Sequence, residues 1–167
     1  MKHLPVSLFA HTRVGIPTPG VIAWPDAFDS FREAGANEKD GPLWSPATFG
    51  PSPVDQYGYD KRLKARVLKC AVGETRRNLP CVVTVSALGL DYDHPPDGEV
   101  FDPAELVERW MRYEHVLHST YTPGRYRLIF PYASPVTAAQ HHAVYAWMLA
   151  QDPRLDASTA DASRIFY

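Results

Sequence analysis

From Cys81 onward, runs of apolar residues alternate with segments of helical period. Cys81 to Leu90 (CVVTVSALGL) is rich in β-branched residues and almost continuously apolar, the pattern of a strand buried on both faces. Asp102 then offers a helix N-cap, with Pro103 at the first helical position and Glu105 placed to close a capping box. Leu106, Val107, Trp110, Met111 and Tyr113 make the apolar face of that helix. A second strand is expected over about His115 to Thr120 and a turn at Thr122-Pro123-Gly124. A third strand follows over Tyr126 to Phe130, stopped by Pro131. Thr137 caps another helix running to about Ala150, with Val144, Tyr145, Met148 and Leu149 at helical spacing. Leu155-Asp156-Ala157-Ser158 comes next, and Ser163 to Tyr167 reads as a final strand.

The first eighty residues are broken by Pro and Gly. Val6 to Ala10 suits a short strand, and Ala27 to Ala34 a short helix after Trp24-Pro25-Asp26. Residues 35 to 58 are loop-rich. Between 61 and 77 lie Lys61, Arg62, Lys64, Arg66, Lys69, Arg76 and Arg77. Leu63, Val67, Cys70 and Ala71 fall there at helical spacing, while Ala65 to Cys70 also reads as a strand; periodicity leaves both open.

Strand, helix, strand, strand, helix, strand is the split βαβ order. It predicts an α+β fold: an RRM-like mixed sheet with helices packed on it over residues 81–167. A smaller αβ module, residues 1–80, precedes it in a single 167-residue domain.

Composition narrows the function classes. At 45% hydrophobic the chain has material for a core, and no apolar run reaches the roughly 20 residues of a membrane helix. Met1 to Ala10 lacks the features of a signal peptide. Two cysteines, Cys70 and Cys81, make no disulfide framework or metal spacing and read as inert buried thiols. A soluble cytoplasmic protein without a membrane partner is expected. A net charge of −2 confines any nucleic-acid binding to local clusters of Lys and Arg. Lys61, Arg62, Lys64 and Arg66 fit a DNA template surface; a solvated charged face fits equally. There is no GxxxxGK[ST] motif, which excludes a P-loop ATPase. His141-His142 with Tyr145 do not make a rolling-circle nuclease site, because adjacent residues of a strand do not share a face. They read as helix surface and core. Trp24, Trp44, Trp110 and Trp147 read as packing residues.

Asp91 and Asp93 end the buried strand, and residues i and i+2 point to one face. Two such carboxylates repel unless a cation sits between them, and all-oxygen ligands suit Mg²⁺ or Mn²⁺. A solvated turn after the strand is the other reading. Asp97-Gly98 falls two residues too late for a calcium loop.

Four pieces in order extend this motif: Val85 to Asp93; Leu117-His118-Ser119-Thr120-Tyr121-Thr122-Pro123; Arg-Tyr-Arg-Leu-Ile-Phe-Pro at 125 to 131 with Ser134-Pro135-Val136-Thr137; and Leu155 to Ser158 with Asp161 to Tyr167. Together they resemble the archaeo-eukaryotic primase superfamily, most of all the primase-polymerase domains of mobile-element replication proteins. Lys39-Asp40-Gly41-Pro42 with Ser45-Pro46 is weakly similar to that family's N-terminal module.

The resemblance implies a metal-dependent nucleotidyltransferase that makes or extends primers on single-stranded DNA from NTP or dNTP. A helicase or other replication protein is a possible partner. Asp91, Asp93 and Asp156 would be the catalytic carboxylates, holding Mg²⁺ or Mn²⁺, with Asp156 on a neighbouring strand. His118, Ser119, Thr120, Arg127 and Arg164 would bind the nucleotide. Relatives carry two further residues, one a His, before the Thr-Pro turn; here the nearest is His118. This departure opens a second reading: a catalytically weakened primase-like module that binds nucleic acid or nucleotide in a replication or defence assembly. A third is an unrelated RRM-like nuclease or binding module with a chance DxD.

Overall fold

A computed structural model describes residues 2–10, 15–24, 43–95, 99–120 and 122–164. The helix expected over Ala27 to Ala34, the segment Lys39 to Pro42, and Ile165 to Tyr167 of the expected last strand lie outside the described residues.

The fold is α+β, with antiparallel sheets and, among the described residues, two helices. Strands β1 (Lys2–Phe9), β2 (Thr18–Trp24) and β3 (Leu43–Ser45) form one sheet in the order β2-β1-β3. β5 (Gln56–Asp60) and β6 (Ala65–Cys70) form a separate hairpin. β4 (Ala47–Phe49), β7 (Val82–Tyr92), β8 (Val116–Ser119) and β9 (Tyr126–Val136) make a four-stranded sheet in the order β4-β7-β9-β8. Where a mixed sheet was expected, every ladder among the described residues is antiparallel.

From Val85 onward β7 is buried on both faces, as its composition predicts, while Val83 near its start is exposed. On one side Leu88, Leu90 and Tyr92, with Leu128 and Phe130 of β9, pack under helix α1 (Pro103–Trp110) and helix α2 (Ala138–Gln151). Leu106, Trp110, Tyr145 and Met148 are the helical contributions. On the other side Ala87 and Ile129 pack against Leu4, Val6, Ile22, Trp24 and Trp44. The N-terminal strands thus share a core with the central sheet, and β4 pairs directly with β7.

Several sequence expectations are corrected. β9 does not stop at Pro131 but continues to Val136. β8 pairs with β9 only as far as Ile129, and the β7 partner is irregular between Val85 and Ala87. A proline there sits at a bulge, on a strand with no partner on its β8 side among the described residues, where its missing N–H is tolerated. Of the two readings left open for residues 65–70, the structure shows the strand. Leu155 to Ser158 is no strand: Asp156 caps a short 3₁₀ turn over Ala157–Thr159.

Both helix caps were legible. The Asp102 carboxylate accepts the N–H of Ala104, and Thr137 with Gln140 forms a reciprocal capping box. Glu105, expected to close a box, reaches Arg154 instead at 2.9 Å. α1 ends at Trp110, which leaves Met111 and Tyr113 beyond the helix and exposed. His141 is buried with Tyr145 on the core side of α2, not on its surface, while Trp147 is half-exposed. Among the described residues no helix is long and apolar enough to cross a membrane.

Candidate functional site

The register of the central sheet places three polar side chains in one transverse row. Asp91 on β7 is directly opposite Arg127 on β9, and Arg127 is directly opposite His118 on β8. Opposed residues of an antiparallel pair project to the same face, here the face away from the helices. Arg127 therefore points to the side of Asp91, as the alternation of Tyr126 to Phe130 predicts.

The row is closed by an ion pair. Arg127 Nη2 donates to Asp91 Oδ2 at 2.7 Å and Nε donates to Oδ1, a bidentate fork between two buried side chains. Arg164 approaches from the C-terminal turn, its Nη2 3.8 Å from Asp91 Oδ2. That turn is fixed locally: the Asp161 carboxylate accepts from the N–H and hydroxyl of Ser163.

His118 Nδ1 lies 2.9 Å from the Ser119 carbonyl oxygen, which only accepts, so this nitrogen carries the proton of the neutral ring. Burial and then the Arg127 cation push the imidazole below its usual range. With Nδ1 donating, Nε2 of the neutral ring is the acceptor. Ser119 ends β8 opposite Tyr126, and Thr120 donates its N–H to the Arg125 carbonyl. Ser119 therefore projects to the helix face of the sheet, away from the row, and Thr120 lies just beyond the end of β8.

Asp93 follows the last residue of β7 and is half-buried. Burial, and then the negative charge of Asp91, raise its carboxyl above the ordinary value; Arg125 and Arg127 act the other way. Asp156 is brought alongside by backbone, its N–H donating to the Asp91 carbonyl at 2.9 Å. Its carboxylate is used locally, accepting from Ser158 N–H at 2.9 Å and Ser158 Oγ at 2.8 Å.

As arranged, these acids do not fit a divalent cation. Both Asp91 oxygens are taken by Arg127, and those of Asp156 by Ser158. Among the described residues no group of three or more His, Cys, Asp or Glu side chains is placed to hold a metal ion.

Lys61, Arg62 and Lys64 lie in the turn between β5 and β6, and Arg66 lies on β6. They are on the hairpin and not in the row.

Sequence reasoning missed two supports. The Tyr145 hydroxyl donates to the Asp156 carbonyl at 2.6 Å and lies 2.6 Å from Thr159 Oγ1, so α2 holds the turn that abuts Asp91. Asp152, buried at the C-terminal end of α2, gathers the Tyr92 hydroxyl, Arg109 and Arg154. In the sequence Tyr145 stood out as an apolar position and beside His141-His142, not as a partner of Asp156. Asp152 sits in an ordinary polar stretch with no local signal.

Comparison of the chain with family models, with curated proteins and with solved structures returned no match.

Proposed function

We propose that this protein is a nucleotidyltransferase of the primase-polymerase type, acting on a single-stranded DNA template with NTP or dNTP. The observation that carries the reading is the row Asp91–Arg127–His118, with Arg164 beside it and Asp93 just beyond. Two guanidinium groups and a neutral imidazole on one sheet face suit a triphosphate, whose oxygens accept bidentate Arg contacts. The RRM-like reading is supported by β7, α1, β8, β9 and α2 following one another with spatial order β7-β9-β8. The flank of β7, where a fourth strand of that unit would lie, is occupied by β4.

In the proposed reaction a 3′-hydroxyl attacks the α-phosphate of the bound nucleotide, a new phosphodiester forms and pyrophosphate leaves. Arg164 orients the triphosphate, Arg127 joins it by exchanging the Asp91 carboxylate for phosphate oxygens, and His118 offers Nε2 to a hydroxyl or protonated oxygen. The carboxylates as they stand do not fit Mg²⁺ or Mn²⁺, so no step is assigned to either.

The same ion pair favours a second reading, a catalytically weakened primase-like module that binds nucleotide or DNA. One experiment separates the two. Thermal melts are recorded with and without millimolar Mn²⁺ and dNTP, beside a primer-synthesis assay with labelled nucleotide on single-stranded DNA. Product formation together with a dNTP-dependent rise in Tm supports the transferase. A rise in Tm without product supports the weakened module. No response to nucleotide in any condition overturns both.

A further inference from the structure

The β5–β6 hairpin carries a surface that the central row does not use. Tyr57 and Tyr59 are two apart on β5 and face the same way; they are 55% and 63% exposed. Directly opposite on β6 stand Leu68, 48% exposed, and Arg66. One face of the hairpin is therefore aromatic and apolar with a guanidinium beside it, open to water. Aromatic rings of this size are normally drawn into a core or an interface.

The turn adds charge. Lys61, Arg62 and Lys64 are all exposed, and among the described residues neither they nor Arg66 has a carboxylate partner. The one acid of the hairpin, Asp60, is spent inside it. Its Oδ1 accepts the N–H of Arg62 and of Leu63, and its Oδ2 pairs with Lys69 at 3.6 Å. Lys64 closes the turn with φ of 49°, in the left-handed region. A chain of net charge −2 thus concentrates free cations at one tip.

The arm is held at its base. The Gln56 amide donates to Ser52 Oγ at 2.6 Å and to Asn78 Oδ1 at 3.3 Å, and Val72 N–H donates to Asp55 at 2.7 Å. A lone two-stranded hairpin is marginal in water, so these bonds fix a projection that its own strands would not.

We propose that this hairpin is a grip for single-stranded nucleic acid, in which Tyr57 and Tyr59 stack successive bases while Arg66 and the turn cations neutralise phosphates. Rings two residues apart on a strand are separated by roughly 7 Å, a spacing that suits splayed bases and not a stacked duplex. Stacking on exposed aromatics within a cationic groove is how single strands are held without sequence preference. An acidic protein would be met by the charge but would leave the tyrosine pair without a purpose. The proposal rests on the transferase reading only in taking a template strand as the occupant.

The test uses the full chain, labelled oligo(dT) about 20 nucleotides long, and EDTA without nucleotide, so that it can fail independently of the transferase chemistry. Fluorescence anisotropy should show binding that weakens steeply with salt. Tyr57→Ala with Tyr59→Ala should weaken it by about tenfold or more, and the Phe pair should restore it. Arg66→Ala should weaken binding and reduce the salt slope by about one. Arg66→Glu, at an exposed position, provides a second variant if the tyrosine pair disturbs folding. The proposal is overturned if wild type does not bind oligo(dT), or if the folded double Ala variant binds as well as wild type. It is equally overturned if duplex DNA or polyglutamate competes as effectively as the single strand.

Discussion

Arg127 grips both oxygens of the Asp91 carboxylate across the β7–β9 ladder, and both side chains are buried. Removing one partner leaves an uncompensated charge in the sheet. Arg127→Ala should therefore lower stability by about 3–5 kcal/mol. Asp91→Ala with Arg127→Ala together should cost clearly less than the two singles summed, because neither charge is then left alone. Urea denaturation of the four proteins gives the coupling. Additive costs would mean that the pair does not act as a unit.

Asp93 carries the opposite sign. Its carboxyl is raised by burial and by Asp91, so the folded chain holds this proton more tightly than the unfolded chain. The associated stability is fully present below the ordinary carboxyl value and is lost as pH rises through the raised one. Asp93→Asn should therefore be neutral to slightly stabilising at pH 7, by less than about 1 kcal/mol after screening. The advantage should vanish near pH 3. A clear loss of stability at pH 7 would instead mark Asp93 as a structural turn residue.

His141 is buried in α2, with Nδ1 3.1 Å from the Tyr132 hydroxyl, and burial pushes its ring down to about 4. The unfolded chain then takes up a proton that the folded chain refuses. Stability is full above about pH 6.5 and falls as the pH drops from there toward 4, by up to about 3 kcal/mol. His141→Gln should flatten that part of the pH–stability curve. An NMR titration of His141 with a midpoint near 6.5 would contradict the assignment.

Asp152 anchors α1 to the end of α2. Burial alone would raise its carboxyl, but hydrogen bonds from Arg154 and Tyr92 outweigh burial and hold it below the ordinary value. Its contribution is present above the ordinary carboxyl range and is lost as pH falls below it. Asp152→Asn strips the charge that Arg109 and Arg154 share and should cost about 2–4 kcal/mol by denaturant unfolding. Trp110, which donates to the Tyr92 hydroxyl at 2.8 Å, reports the loss by fluorescence.

How far the sequence reaches follows from what each signal encodes. β7 and α2 were legible because burial on both faces and a capped helical period are local patterns. Residues 65–70 stayed undecided because six residues do not separate the two periods, and the pairing with β5 settles them. The end of β9 was misread because a proline breaks a central strand, and only the register shows that, among the described residues, β8 pairs no further than Ile129. Asp91 and Arg127 were each found as candidates, but their union depends on strand register, which no local spacing carries. Asp156 was expected on a strand; its capping bonds to Ser158 are the short-range alternative that Asp favours.

The far end of β9 bears on how the protein behaves at high concentration. Among the described residues nothing pairs with β9 beyond Ile129 on the β8 side, and an unpaired strand margin is the kind of template on which a second chain adds itself and aggregation begins. Pro131 and Pro135 both fall within Pro131–Val136, and each removes a backbone donor. Neither residue can donate a backbone hydrogen bond to an incoming strand. Replacing both prolines with alanine should turn this margin into a sticky one, with light scattering rising on concentration while the melting curve of the monomer changes little.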